Sequence, residues 1–571
     1  MAISKPVSIK MHIMLILLLC QNLSLAQKTD SITLNKIDSL ITLLDSKDAP
    51  GGAISIIQDG NTTYRRYFGM QDLKKKIPVS ASTHFNMASI SKQFTAMCIS
   101  LLEEQGKIDI ENDIKMYFPD FKYTNSIKVK NLLNHSSGIR ESTVIAVLAG
   151  NVNLKGELPK KKHNKEFLFE ILKKEKDLNF PTGSEMSYTN INYVLLADIV
   201  EQVSGMRFKN FVDSAIFKPL KMKSSYVENT MEPSSVFGYY YNGKKFKKKH
   251  LQGGTYGDDN LVSTLDDLEK WNANFFDNKL GNKNKNLIRK FTTSIPLNDG
   301  EKSNYGYGLS IGFHRGLKRF SHDGENNLHT TFIFNVPEKR TSITFLVNAT
   351  NYNNPIDQAY KIIDLLFPES PEKIQEKIDS ENQHETIKDS ELKNLMGLYY
   401  EINENGTAQI RNVTYSNNQL LISKNPDIKG CPHTSVNKNE FIPHNSLGHP
   451  NQVLFNKDND EITFTEHFDE GPYKQEDYNF KKVKVDNLDY PSYTGTYLEL
   501  NHNSKIKIKS KKGKILAKKS ILKIPLIPIE QDKFYSPDYE ALFIFKRNES
   551  NQIKSLLINS WNFRNFNLIK K

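Results

Sequence analysis

Phe85-Asn86-Met87-Ala88-Ser89-Ile90-Ser91-Lys92-Gln93-Phe94-Thr95-Ala96 places a serine and a lysine three residues apart, at the head of a helical pattern. Phe94, Met97, Cys98, Leu101 and Leu102 recur at helical spacing and give that helix one apolar face. If the helix begins near Ser89, Lys92 lies on the same side as the hydroxyl, one turn on. A serine at a helix start sits among backbone N–H groups that have no partner inside the helix, and such donors can hold a developing oxyanion. A neutral serine is a poor nucleophile, and a nearby amine of lowered pKa can take its proton. Alone, the same spacing fits a helix cap followed by a solvated lysine. What surrounds and follows it therefore decides the reading.

Outward from this stretch, the chain reads as α+β. Upstream, Ile37, Leu40, Ile41 and Leu44 mark one face of a short helix. Ala53 to Ile57, the turn Asp59-Gly60 and Thr62 to Phe68 read as a hairpin. Downstream, Gly106 stops the serine helix. Leu132-Leu133-Asn134-His135-Ser136-Ser137-Gly138-Ile139 reads as a structured loop, with His135 a hydrogen-bonded structural residue. Residues 140–180 are lysine-rich and partly helical, and read as a variable flap. Tyr188-Thr189-Asn190 then precedes a helix closed by Gly205, and a Tyr-x-Asn triplet alone carries little weight. Thr264 is expected to cap the helix of Leu268 and Trp271, with Asp267 as its reciprocal partner. Tyr305-Gly306-Tyr307-Gly308 opens a run of strands that includes His322-Asp323-Gly324, Phe332 to Phe334 and Ser342 to Val347. Ile356 to Phe367 closes it as a helix. Hairpin, helices, strands, helix is the order of an antiparallel sheet with helices on its faces.

Length and composition set the frame. The 571 residues exceed one ordinary domain, and 38% hydrophobic and 10% aromatic residues provide for packed cores. The net charge of +12 comes with lysine runs at Lys160-Lys161-Lys162, Lys244-Lys245 and Lys247-Lys248-Lys249. No zinc-finger spacing, RNA-binding aromatic signature or P-loop accompanies them, so they read as solvated loops and not as a nucleic-acid site. A negatively charged cell-envelope surface is the weak partner such charge allows. Lys5 and Lys10, the apolar run Met11 to Cys20 and Ser24-Leu25-Ala26 form an export signal cleaved after Ala26. The expected location is therefore periplasmic or secreted. Processing as a lipoprotein at Cys20 is the rival reading, disfavoured by the bulky Leu19 before it. Cys98 and Cys431 share no short spacing, so no disulfide framework is expected, and Cys98 belongs to the apolar face of its helix.

Pro368 to Ser390 is charged and reads as a linker. Beyond it, Leu395-Met396-Gly397-Leu398-Tyr399 resembles Tyr493-Thr494-Gly495-Thr496-Tyr497, and each is followed by short alternating strands ending in a Phe-rich stretch. The weak repeat fits two small antiparallel β-barrels. The divisions are 1–26 signal, 27–367 α+β domain, 368–390 linker, 391–484 first barrel and 485–571 second barrel. Cys431-Pro432-His433 supplies too few ligands for a metal, and no cofactor is expected.

The ordered landmarks Phe85-x-x-Ala88-Ser89-x-Ser91-Lys92, Leu132-Leu133-x-His135-x-Ser137-Gly138, Tyr188-x-Asn190, Ser263-Thr264-x-x-Asp267-Leu268-x-x-Trp271, Tyr305-Gly306-Tyr307-Gly308 and His322-x-Gly324 resemble the serine β-lactamase-like family. That group includes class C β-lactamases, D-alanyl peptidases, D-aminopeptidases and esterases. The resemblance covers about residues 30–370. It implies that Ser89 is acylated, that Lys92 shares or shuttles its proton, and that Tyr188 is the second general-base candidate, deprotonated or hydrogen-bonded through Lys92. Asn190 would hold the substrate amide and His322, Gly324 and Glu325 would line the cleft. The oxyanion would lie between the N–H groups of Ser89 and Glu325. Many β-lactamases carry Lys-Thr-Gly where this chain has His322-Asp323-Gly324. The resemblance thus implies a peptidase or esterase acting on a small molecule or short peptide, rather than a β-lactamase. The D-aminopeptidase-like branch also carries two β-barrels after the catalytic domain. Two other roles stand beside hydrolysis: a non-catalytic cleft that binds peptide or glycan, and a surface-adhesion role for the tail.

Overall fold

The computed structural model describes residues 31–148, 164–368 and 388–571, apart from 229–232, 253, 284, 302, 351–354, 418, 427–429, 436–438, 444–451, 459–460, 469–475, 486–487, 501–503, 512 and 520–521. The export signal with Cys20, the run Lys160-Lys161-Lys162 and nearly all of the 368–390 linker lie outside the described residues. No helix among the described residues is long and apolar enough to cross a membrane.

A seven-stranded antiparallel sheet carries the N-terminal region. Its strand order is Tyr305–Gly306, Leu309–His314, Leu317–Glu325, Thr330–Val336, Thr341–Val347, Gly52–Gln58, Asn61–Phe68. The strand Gly52–Gln58 is buried almost throughout because it sits between two partners and both its faces are covered. Alternation sorts its side chains. Ala53, with Ile333 and Leu346, faces the helices that hold Ser89, whereas Ile54 and Ile56, with Phe334 and Phe345, face Ile37, Ile41, Ile362 and Ile363 of the two terminal helices. The N-terminal helix Ser31–Thr42 and the closing helix Pro355–Leu366 therefore pack together on the far side, and the site forms on the other.

There the helix Ser91–Glu104 is the central element, buried from Ser91 to Leu102. Phe94 stacks on Trp271 at 4.1 Å between ring centroids, and the Trp271 indole donates to Gln93 at 2.9 Å. Cys98 is fully buried in this core, and burial pushes its thiol pKa up. Thr264 does cap its helix, accepting from the Asp267 N–H at 3.4 Å. The reciprocal half of that cap is absent: Asp267 accepts instead from the Ser224 N–H at 2.7 Å, the Ser225 hydroxyl at 2.9 Å and Lys270 at 2.7 Å. Its carboxylate is more useful tying down the chain before Tyr226–Val227, whose strand shares a small sheet with Leu261–Ser263 and Phe85–Asn86.

The tail forms two closed eight-stranded barrels, Gly397–Ile402 to Glu476–Lys482 and Gly495–Glu499 to Phe563–Lys570. The sequence repeat is a repeated structural device. The Tyr399 hydroxyl donates to the Leu395 carbonyl and the Tyr497 hydroxyl to the Tyr493 carbonyl, both at 2.8 Å. Lys482 lies over the Tyr399 ring at 5.8 Å and Lys570 over the Tyr497 ring at 5.9 Å. Gly397 and Gly495 have φ of 148° and 151°, and a Cβ at either would meet that lysine's Cε at 2.7 Å or 2.8 Å. Each glycine thus lets a lysine cross the closing seam of its barrel. Both lumens are filled by aromatic side chains, including Phe455, Phe464 and Phe480 in the first and Phe534, Phe543 and Phe545 in the second.

The segment read as a flap is no flap where it is described. Helices Ser142–Leu148 and Lys165–Leu172 bring Ile145, Ala146 and Ile171 into the hydrophobic cluster of the second barrel. Ile145, Ala146 and Ile171 are thus buried against the tail, a partner that local sequence does not announce, while Leu168 and Leu172 pack into the core around the Ser91–Glu104 helix.

Candidate active site

The site is built on a strained turn. Ala88 has φ +47°, a conformation uncommon for a residue with a side chain, and its N–H is held by the Asn86 carboxamide at 2.8 Å. Ala88–Ile90 form one turn of 3₁₀ helix, and the α-helix begins only at Ser91. Ser89 is thereby set at the mouth of the helix, not within it. The strand end His322–Glu325 runs against this turn. A Cβ on Gly324 would lie 2.4 Å from the Met87 carbonyl oxygen and 2.4 Å from the Thr331 hydroxyl, so only glycine permits the approach. The Thr331 hydroxyl bridges the Met87 carbonyl at 2.9 Å and the Gly324 carbonyl at 3.2 Å, locking strand to turn.

Lys92 is fully buried, and its ammonium donates to the Ser89 hydroxyl at 3.0 Å and to the Asp258 carbonyl at 2.9 Å. Burial lowers its pKa to about 8, against the raising pull of Asp258, Asp259, Glu141 and Asp323. Asp259 is half-buried, and desolvation followed by the neighbouring Asp258 raises its pKa to about 6. The loop carrying both aspartates is pinned onto the helix. Thr95 donates to the Gly257 carbonyl at 2.7 Å and the Leu261 N–H donates to Ser91 at 3.1 Å. Gly257 is needed for the same reason as Gly324, since its Cβ would lie 2.4 Å from the Tyr193 carbonyl oxygen.

Tyr188 comes from the segment before the Asn190–Ser204 helix. Its ring lies 5.0 Å from the Lys92 nitrogen, which faces the ring and not the phenol oxygen. The expected hydrogen bond from Lys92 to that oxygen is not formed, because the ammonium is directed at Ser89 and Asp258. Burial raises the Tyr188 pKa well above its ordinary value, a shift opposed by Ser89 and reinforced by the nearby aspartates. In this geometry Tyr188 is a neutral phenol. His135 packs on Tyr188 at 4.3 Å between ring centroids and on Tyr305 at 4.8 Å. It is the buried, hydrogen-bonded residue expected: its Nδ1 accepts from the Thr189 N–H at 3.3 Å, and burial lowers its pKa well below the ordinary range.

Asn190 opens its helix and is exposed at the rim. His322 is buried, with Nδ1 toward the Asp323 carbonyl. A carbonyl only accepts, so Nδ1 carries the proton and Nε2 accepts from the Tyr305 hydroxyl at 2.9 Å. Both nitrogens are thus occupied within the protein, and burial lowers the ring's pKa. What His322 offers the cleft is a neutral wall. Asp323 and Glu325 are exposed on the opposite face of that strand end, and burial of its carboxyl together with Asp323 raises the Glu325 pKa.

Three contributors were not singled out from sequence. The Asp258 carbonyl acts through backbone, which leaves no mark in residue type. Glu141, from the supposed flap, accepts from the Thr189 hydroxyl at 2.9 Å and the Asn190 N–H at 2.8 Å, capping the helix that follows Tyr188. The third is the second barrel. The turn between strands Ile553–Ser560 and Phe563–Lys570 rests on the segments flanking the site. Ser187 donates to the Trp561 carbonyl at 2.6 Å, Asn179 to the Asn562 carbonyl at 3.0 Å, and Arg564 to Glu185 at 2.7 Å. No group of side chains among the described residues could hold a metal ion.

Comparison with known proteins follows the same outline. A family model described as Beta-lactamase matches residues 37–366. A D-aminopeptidase of Gluconobacter oxydans (strain 621H) is 24% identical over 318 residues, covering 55% of this chain and 58% of that protein. A D-aminopeptidase of Brucella anthropi is 26% identical over 277 residues, covering 48% of this chain and 51% of that protein. The chain thus spans little more than half the length of these curated relatives. Among solved structures, the octameric penicillin-binding protein homologue from Pyrococcus abyssi superposes with a TM-score of 0.54 at 25% identity, over 79% of this chain and 100% of its own.

Proposed function

Because this chain belongs to the beta-lactamase family, we propose that it is a serine hydrolase in which Ser89 is acylated and Lys92 takes its proton. The observation that carries this reading is the buried Lys92 ammonium 3.0 Å from the Ser89 hydroxyl, with its pKa brought down to about 8. At pH 7 roughly a tenth of such an amine is neutral and able to act as a base. Ser89 Oγ attacks the carbonyl carbon of a small amide or ester while its proton passes to Lys92. The tetrahedral oxyanion is received by the N–H groups of Ser89 and Glu325. The leaving amine or alcohol takes the proton held by Lys92, and water then attacks the acyl-serine by the reverse route. Asn190 holds the substrate amide at the rim, and His322 and Gly324 form the wall.

The substrate we favour is a D-amino-acid peptide or amide from cell-wall turnover, met by an exported enzyme. The names of the relatives support the stereochemistry. Charge supports the free amine. Asp258, Asp259, Glu141 and Asp323 all act on Lys92, whereas the strand that bears lysine in many β-lactamases bears His322, Asp323 and Glu325 here. At the His322–Glu325 end of that strand a substrate carboxylate would find no cation, and an ammonium would find carboxylates.

A fluorophosphonate probe tests the core of the reading. The wild type is expected to gain one adduct by intact mass and Ser89→Ala none; a folded wild type that stays unlabelled would remove the nucleophile from the account. Substrate choice is tested with Glu325→Ala, which should lower the preference for amine-bearing over neutral substrates. An unchanged preference would leave Glu325 without that role.

A further inference from the structure

One wall of the second barrel has a composition that hydrolysis does not use. Nine lysines and no acidic residue occur between Glu499 and Glu530. The pleat divides them. Along Ser504–Lys511 the inward positions are Ser504, Ile506 and Ile508, and the outward ones are Lys505, Lys507, Lys509 and Lys511, all exposed. The next strand, Lys514–Lys519, turns out Lys514, Leu516 and Lys518, and the third, Leu522–Glu530, turns out Lys523 and Pro525. Register aligns the charges across strands: Lys511 faces Lys514, Lys507 faces Lys518, and Lys518 faces Lys523.

Like charges at directly paired positions destabilise a sheet. Here three strands carry them side by side, and none of the seven outward lysines forms an ion pair among the described residues. Elsewhere the chain does pair its lysines, as in Lys248 with Asp72 or Lys533 with Glu530. The other faces of this barrel are committed. Ile529, Tyr535 and Leu542 pack against Ala408 and Ile410 of the first barrel, and the turn at Trp561 meets the catalytic region.

Apolar residues continue the lysine face. Lys505 pairs with Leu498, and Leu498 pairs with Ile569 on the closing strand. Ile569 is 45% exposed and the neighbouring Leu500 68%. We propose that this wall of the second barrel, Lys505, Lys507, Lys509, Lys514, Lys518 and Lys523 with Leu500 and Ile569 at its edge, is a docking surface for an anionic lipid bilayer. The array is two-dimensional, with neighbours about 5 Å apart across strands and about 7 Å along them, as a planar field of headgroups requires. Among the described residues its three strands carry no aromatic ring to stack on a base. Leu500 and Ile569 sit where apolar side chains enter the headgroup boundary beside a basic face.

The test is vesicle co-sedimentation of the full chain at low salt, with vesicles of phosphatidylcholine alone or with about 30 mol % phosphatidylglycerol. Binding is expected only to the anionic vesicles, and to fall steeply with added salt. Lys507→Gln, Lys518→Gln and Lys523→Gln combined should weaken it roughly a hundredfold, since each lysine near such a surface contributes about fivefold. Thermal unfolding of that variant should not move down, because the substitutions relieve like-charge pairs. A hairpin variant, Lys244→Gln, Lys245→Gln, Lys247→Gln and Lys249→Gln, loses more charge and should bind as the wild type does. Equal binding by the barrel variant, binding lost only in the hairpin variant, or binding to polyphosphate without binding to vesicles would each overturn the proposal.

Discussion

The hydroxyl of Ser187, the residue before Tyr188, donates to the backbone carbonyl of Trp561, 374 residues further along the chain, at 2.6 Å. A barrel wholly outside the family-matched region thus touches the segment that delivers Tyr188. The Trp561 side chain itself is 46% exposed at this rim. Because the contact is made by backbone, the side chain can be changed without breaking it. Trp561→Ala is therefore expected to leave the Ser89 adduct rate nearly unchanged for a small probe and to alter KM, by several-fold, for substrates with bulky groups beyond the scissile bond. Equal effects on small and bulky substrates would place Trp561 away from the substrate path.

The buried Lys92 makes the reaction pH-dependent in a direction that can be worked out. Its amine is the base only when neutral, and its pKa is about 8. Activity should therefore rise through pH 7 to 9, with an acid limb near pH 8 in kcat/KM. Stability follows from the same number. Below pH 8 both folded and unfolded chains hold the proton, and burial of the ammonium costs its full amount. Between the folded pKa of about 8 and the unfolded value of 10.5 the unfolded chain binds the extra proton, so stability rises with pH. Lys92→Met should abolish turnover. Denaturant melts of the two proteins should show wild type gaining on the variant by up to about 3 kcal/mol from pH 8 to 10.5.

Asp259 provides a second handle on that amine. Its negative charge helps to raise the Lys92 pKa, and its own is raised to about 6. Asp259→Asn should move the acid limb to lower pH. Between pH 3.8 and about 6 the folded chain holds the Asp259 proton and the unfolded chain does not, so this group's contribution to stability falls as pH rises. The asparagine variant should accordingly gain stability relative to wild type above pH 6. An acid limb that stays in place would uncouple Asp259 from Lys92.

Much of this site was legible from residue order. Ser89 and Lys92 one turn apart, the apolar face of their helix and the Gly-x-Tyr repeat of the barrels are local patterns, and local geometry realised them. What escaped was set by distant partners. Asp267 has the right spacing to complete the Thr264 cap, yet Ser224 and Ser225 claim its carboxylate. Lys92 was expected to reach the Tyr188 oxygen, yet the Asp258 carbonyl draws it away. Residues 140–180 read as a variable flap because the partner of Ile145, Ala146 and Ile171, the second barrel, lies at the far end of the chain. Arg140 shows the same reach: paired with Glu175 at 2.9 Å in the interior, it also donates to the Asn565 carbonyl.

Gly324 tests whether strand and turn must touch for Ser89 to act. Its φ is not in the left-handed region, so an alanine would strain no torsion there; the obstacle is space alone. The new Cβ would lie 2.4 Å from both the Met87 carbonyl oxygen and the Thr331 hydroxyl, and 3.2 Å from the Ala88 Cβ. The threonine can rotate, but the Met87 carbonyl belongs to the turn that presents Ser89, so the strand end must back away. Gly324→Ala should then cost about 1–3 kcal/mol of stability and reduce the rate of Ser89 acylation by at least about a hundredfold through displaced oxyanion donors. Thr331→Ala removes the lock without inserting an atom and should reduce the rate less. If Gly324→Ala labels with the fluorophosphonate as fast as wild type, the strand at 324–325 does not contribute to the oxyanion site.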